Sequence, residues 1–222
     1  MKQALLAFGV ASVLASPALA QDPTKVDAKH YKVVAENERV RVLKATYGAG
    51  EKSVMHEHPD TFAVFLTDAK VRFGLPDGTS APDVTPKAGD VMAAPAGKHN
   101  PENLGAAMEV FVVEVKPGVA APPPVKGAVP PPSGAGATRT TITTGPHGEA
   151  VRLKTEAGFT EPAGSTHDYD AVVVPMSGAG AVMTLGGKTV TMKKGEAYLI
   201  SRGAPHGVKA TASGETIVVY IK

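Results

Sequence analysis

Two stretches decide the reading: Gly50-Glu-Lys-Ser-Val-Met-His56-Glu-His58-Pro-Asp60-Thr-Phe62 and, further on, Gly89-Asp-Val-Met-Ala-Ala-Pro95-Ala-Gly97-Lys-His99-Asn-Pro-Glu-Asn103. His56 and His58 are two apart, so on a strand, where side chains alternate, both imidazoles face one side. Pro95 and Gly97 predict a tight turn that delivers His99 at a strand end. A lone histidine reads as an ordinary surface or core residue. Three neutral imidazoles meeting at one point instead make a site for a first-row transition metal.

Outward from these segments the chain reads as short strands. RVRVLKATY (39–47), TFAVFL (61–66), VRFGL (71–75) and MEVFVVEV (108–115) are rich in β-branched and aromatic residues. TTITT (140–144), AVVVPM (171–176), AVMTL (181–185), KTVTM (188–192), AYLI (197–200) and TIVVYIK (216–222) continue the pattern. Turn signals separate them: PDG at 76–78, KAGD at 87–90, GG at 186–187 and KKGE at 193–196. No long stretch holds a 3.6-residue period, so the expected class is all-β, a sandwich or barrel with little helix.

Composition narrows the function. With 43% hydrophobic and 20% charged residues the chain is globular in type. Its 23 basic and 21 acidic residues leave a net charge of +2, too balanced for a nucleic-acid footprint. The absence of cysteine excludes disulfides, thiolate metal sites and a cysteine nucleophile. Residues 1–20, MKQALLAFGVASVLASPALA, have a positive start, a short apolar run and a small-residue end before Gln21. That pattern predicts a signal peptide and an exported protein, periplasmic or secreted. No segment is long and apolar enough to insert into a membrane.

The mature chain divides in two. Seven of the 19 prolines fall in 117–137, a Pro/Gly/Ala-rich stretch that reads as an extended linker rather than a docking site. It separates an N-terminal domain, 21–116, from a C-terminal domain, 138–222. The halves repeat each other: a histidine segment, an apolar strand, a hairpin, a KAGD or KKGE turn, a second histidine and a closing β-branched strand. His58 and His99 are 41 apart, and His167 and His206 are 39 apart.

These motifs resemble those of the cupins. The first cupin motif runs Gly, five residues, His-x-His, three or four residues, Glu, six residues, Gly; Gly50, His56 and His58 fit it. The second runs Gly, five residues, Pro-x-Gly, two residues, His, three residues, Asn; Gly89, Pro95, Gly97, His99 and Asn103 fit with one residue missing before His99. The resemblance implies a bicupin, two jelly-roll-like β-barrels joined by the Pro-rich linker, with one divalent metal (iron, manganese, nickel, copper or zinc) on His56, His58 and His99.

There are departures. The glutamate ligand would fall at 62 or 63, which are Phe62 and Ala63, and the spacing from His58 predicts that the Phe62 ring takes the carboxylate's place. The C-terminal copy keeps His167 and His206 but has Ser165, Ser201 and Ala210 at other motif positions. A second site of His167, His206 and Asp170 is expected only if Asp170 leaves the regular strand face. His30 and His147 lie outside the motifs and read as surface residues; Glu57, Asp60 and Glu102 read as solvated charges at the rim.

The function implied is that of an exported metal protein acting on a small oxygen-rich molecule as dioxygenase, decarboxylase, isomerase or lyase. The alternatives are a non-catalytic periplasmic protein that binds metal or a small ligand, and a structural or partner-binding bicupin. Expected partners are a small molecule and, in a homodimer, a second copy; nucleic acid and membrane insertion are not expected.

Overall fold

Strong β-formers separated by glycine turns produce strands from end to end in the computed structural model, which describes residues 21–118, 123–177 and 181–222. The expected signal peptide, 1–20, and residues 119–122 of the proline-rich segment lie outside the described residues. A single helical turn, α1 (Pro23–Val26), precedes the strands.

The N-terminal half contributes β1 (Tyr31–Glu36), β2 (Val40–Tyr47), β3 (His56–His58), β4 (Thr61–Phe65), β5 (Val71–Gly74), β6 (Val91–Ala94), β7 (Gly97–Asn103) and β8 (Met108–Val115). The C-terminal half contributes β9 (Ala137–Gly145), β10 (Gly148–Thr155), β11 (Thr160–Ser165), β12 (Asp170–Pro175), β13 (Ala181–Leu185), β14 (Lys188–Thr191), β15 (Tyr198–Ile200), β16 (His206–Ala210) and β17 (Gly214–Ile221).

Every sheet draws its strands from one half. The large sheets run β1-β2-β8-β4-β6 and β9-β10-β17-β12-β15, the same order once the extra hairpin strand β14 is set aside. The smaller sheets are β3-β7-β5 and β11-β16-β13-β14. All named pairs are antiparallel, as hairpins and Greek-key connections require.

The central strands are apolar on both faces. In β4, Phe62 and Val64 join a core shared with the other half, while Phe65 faces the N-terminal interior. In β17, Ile217, Val219 and Ile221 enter the shared core, and Val218 and Tyr220 face the C-terminal interior. Burial on both faces explains why these runs are continuous rather than alternating. Polar ties cross the same interface: Arg39 pairs with the buried Asp170 at 2.8 Å, and Arg152 Nη2 donates to the Gly89 carbonyl at 3.0 Å.

The described part of the proline-rich segment is docked on the C-terminal half. Val125 N–H donates to Asp168 at 2.9 Å, Val129 N–H to the Thr166 carbonyl at 2.8 Å, and Arg202 to the Pro123 carbonyl at 2.9 Å. Proline cannot donate, so the intervening valines carry the N–H contacts.

His30 corrects its surface assignment: it is buried, stacked on Tyr47 at 4.3 Å, with Nδ1 on Asp27 at 2.8 Å. The α1 turn lies against β1 and β3, and the stacking of His30 on the distant Tyr47 is a tertiary contact that spacing does not encode. His147 is half-exposed and pairs with Asp60 at 2.9 Å.

Candidate metal centre

Register brings the three histidines together. His56 stands directly opposite His99 in the β3–β7 ladder, and His58 lies opposite Gly97. One donor nitrogen from each ring falls within 4.8 Å of the others. Ring centroids are 4.8 Å apart for His56–His58, 4.9 Å for His56–His99 and 5.2 Å for His58–His99.

The surroundings fix which nitrogens are offered. His56 Nδ1 donates to the Val54 carbonyl at 2.9 Å, so its hydrogen is on Nδ1 and Nε2 carries a lone pair. That Nε2 is buried without a hydrogen-bond partner. His58 Nδ1 donates to Glu114 Oε1 at 2.7 Å, and Arg41 holds the other carboxylate oxygen. Ser53 lies 3.0 Å from His56 Nδ1 and donates to Asp27. A carbonyl behind His56 and a carboxylate behind His58 are the arrangement that orients metal-binding imidazoles.

Electrostatics agree with that role. Burial, and then the neighbouring His58, pulls His56 down to about 4. Burial, followed by His58 and His56, pulls His99 down to about 3. Both rings are therefore neutral near pH 7, the form that ligates metal. An orphaned buried Nε2, neutral rings and anchored Nδ1 hydrogens together fit a borderline transition metal.

Phe62 is not beside the histidines. It is buried in the core between the halves, and Ala63 lines the cavity with His58 and His99. The Pro59–Asp60 bend separates β3 from β4, so counting alternation through it from His58 gives the wrong face. Glu57 and Glu102 pair with Lys98 and Lys52 at 3.5 and 3.7 Å. Asn103 is fully buried and donates to the Gly48 and Ala106 carbonyls, a structural role.

The second cluster contains His167 and His206, but its carboxylate is Glu161. Asp170 turns to the interface between the halves, held by Arg39 and by Asn37 Nδ2 at 2.8 Å. Glu161 Oε1 lies 2.7 Å from His167 Nε2, and Oε2 lies 3.6 Å from His206 Nε2. His167 Nδ1 donates to the Val129 carbonyl of the proline-rich segment at 2.7 Å, and His206 Nδ1 to the Ala204 carbonyl at 3.0 Å. Glu161 stands opposite Val208 and lines the same interior, and a register shift follows it before Ser165. Gly207 permits it, since a Cβ there would lie 2.7 Å from Ala163 Cα.

Sequence reasoning missed Glu114 and Glu161. The signal for Glu114 was a charge inside the apolar run MEVFVVEV, since an interior carboxylate needs a partner. The signal for Glu161 was weaker, a Pro-Ala-Gly interruption after it that marks a bulge.

A cavity of about 250 Å³, bounded by both N-terminal sheets, is lined by His58 and His99, while His56 stands behind them. Its C-terminal counterpart is about 50 Å³.

Comparison with known proteins places this fold. Residues 151–222 match the family model "Cupin domain". Among proteins of curated function none matches the sequence. A solved salicylate 1,2-dioxygenase from Pseudaminobacter salicylatoxidans aligns with a TM-score of 0.60 at 12% identity, covering 86% of this chain and 76% of that one. A Cupin 2 conserved barrel domain protein from Leptotrichia buccalis gives 0.60 at 13% over 86% and 88%. An oxalate decarboxylase from Lactobacillus farciminis, solved as a formate complex, gives 0.58 at 12% over 84% and 78%. At such identities the likeness carries the fold alone. The all-β fold is shared with these structures, and the cupin family match falls on the half with the smaller cavity.

Proposed function

We propose that the protein is an exported bicupin, two cupin-type barrels joined by the Pro-rich segment, that binds one transition-metal ion through His56, His58 and His99 and engages a small molecule beside it. The observation that carries this reading is the buried, unpartnered Nε2 of His56 beside His58 and His99, with the Nδ1 hydrogens of His56 and His58 anchored and His56 and His99 held neutral by burial. A bound metal would supply Lewis acidity and exchangeable positions for a ligand oxygen. Glu114 orients His58, and the Val54 carbonyl orients His56. Phe73 packs against His99 at 5.2 Å.

Whether turnover follows depends on a proton carrier. Besides the histidines, the only titratable side chains lining the cavity among the described residues are Tyr31 and Tyr47. Burial pushes both phenols up, away from the neutral range a general base needs. That observation favours the alternative reading, a non-catalytic protein that binds metal and a small ligand, over enzymes that need a dedicated base. Oxygen-dependent chemistry, which needs no such base, is the enzymatic form retained. One of the similar structures is a salicylate 1,2-dioxygenase variant in complex with gentisate, which keeps a small organic ligand in view.

The test is elemental analysis of protein purified from its exported compartment, with N-terminal sequencing to locate cleavage. One equivalent of metal that the His56→Ala/His58→Ala variant loses supports the reading. Full metal content in that variant overturns it.

A further inference from the structure

The cavity walls specify the occupant more narrowly than the donor set does. Val71, Phe65, Phe73, Met92, Met108 and Val110 form much of the lining. No lysine, arginine, aspartate or glutamate lines it among the described residues. Glu114 and Asp27 stand behind the histidines and are already engaged, Glu114 by His58 and Arg41, Asp27 by His30 and Ser53. The polar groups gather at one end: Tyr31 lies edge-on to His56 at 4.9 Å and shares a hydrogen bond with Tyr47 at 2.8 Å.

Resting on the proposed metal site, we infer that this cavity takes an uncharged, largely apolar molecule of single-ring size that presents one polar donor head to the histidine end. Three features compel this. An apolar cavity on the order of 150 Å³ accommodates benzene, so about 250 Å³ takes a ring with a few further atoms, roughly ten non-hydrogen atoms in all. A second charged group would be stripped of water among methionine, valine and phenylalanine side chains with no counter-ion to meet it. A single head group suffices, because the side-chain donors and acceptors of the lining are few: His58 and His99, Tyr31 packed against His56 and His58, its hydrogen-bond partner Tyr47, and Thr61, three residues after His58. The oxygen-rich molecule implied by family resemblance is therefore replaced by one whose oxygen is confined to its head.

The test is titration calorimetry on zinc-loaded full chain with three probes: 4-ethylphenol, terephthalate and 9-phenanthrol. 4-Ethylphenol should bind saturably at one per chain. Terephthalate, whose second carboxylate must enter the apolar walls, and 9-phenanthrol, which exceeds the volume, should bind at least tenfold more weakly. Terephthalate binding as tightly as 4-ethylphenol would overturn the inference.

The same series with toluene on metal-free protein separates the two readings. A chain that takes up no metal yet binds toluene disproves the metal site and keeps the apolar occupant; one that holds zinc but binds neither toluene nor 4-ethylphenol does the reverse. Val112→Tyr, which places in this cavity the ring that Tyr220 supplies in the other half, should abolish 4-ethylphenol binding while zinc stays at one equivalent. The probe series on the unaltered chain decides the matter should that variant not fold.

Discussion

The two halves of this chain share one strand order and differ inside it. Ala63 faces Val112 across the β4–β8 ladder, and Ala171 faces Tyr220 across β12–β17. Two residues before each alanine stand Thr61 and Tyr169. The two tyrosines pack edge to face at 4.7 Å and occupy space that threonine and valine leave open in the N-terminal half. Ser165 stands opposite His206 as His56 stands opposite His99. A few substitutions on an unchanged framework thus turn an open cavity with three imidazoles into a filled one, where a carboxylate from a bulge meets two. Framework and site are separable, and likeness in the framework does not extend to the chemistry of the site.

The sharpest break between neighbouring positions lies at Phe62 and Ala63. Phe62→Glu buries an unpaired carboxylate in the core between the halves and should destabilise the protein by about 3–5 kcal/mol, read by urea denaturation. Ala63→Glu, one residue on, enters the cavity beside His58 and should slow metal loss to a chelator instead. Equal effects of the two would undo the assignment of faces.

Opening the filled half is the next largest effect. Tyr220→Val removes a buried ring and should cost about 2–4 kcal/mol in the same denaturation assay. Combined with Tyr169→Thr it should give the C-terminal half a cavity that takes up toluene, a gain visible as a ligand-induced rise in Tm.

The donor sets should then part company under paired mutation. His56→Ala/His58→Ala should remove the first metal equivalent, and His167→Ala/His206→Ala should leave it in place, as elemental analysis will report. Glu114→Gln, which weakens the orientation of His58, should reduce metal affinity by roughly 10- to 100-fold in a competition titration.

The smallest effect concerns the docked proline-rich segment. Val129→Pro removes the N–H that reaches the Thr166 carbonyl and should cost about 1 kcal/mol, a fall in Tm of a few degrees. The accompanying gain in protease cleavage near that residue would measure how far docking protects it.

The legible part of this molecule is what local periodicity controls. A period of two placed His56 and His58 on one face, and the Pro-x-Gly turn led into the strand that carries His99. β-branched runs punctuated by glycine turns specified an all-β chain with a repeated order, because strand formation and turning are properties of neighbouring residues. Phe62 and His30 were misplaced for a different reason, whereas the three-residue spacing from His167 already puts Asp170 on the other strand face. The Pro59–Asp60 bend breaks the alternation that a sequence count assumes, and a one-residue change of phase exchanges the two faces of a strand. His30 is buried because Asp27 holds its ring and Tyr47, from the next strand, stacks on it.

Residue types and spacing by themselves determined the β class, the duplication and the three histidines of the candidate centre. Tertiary structure alone decided that Glu114 and Glu161 stand behind or among the histidines, that the proline-rich segment is docked, and that one half is hollow while the other is filled. Those features depend on which distant side chains share a volume, and that is set by sheets packing face to face.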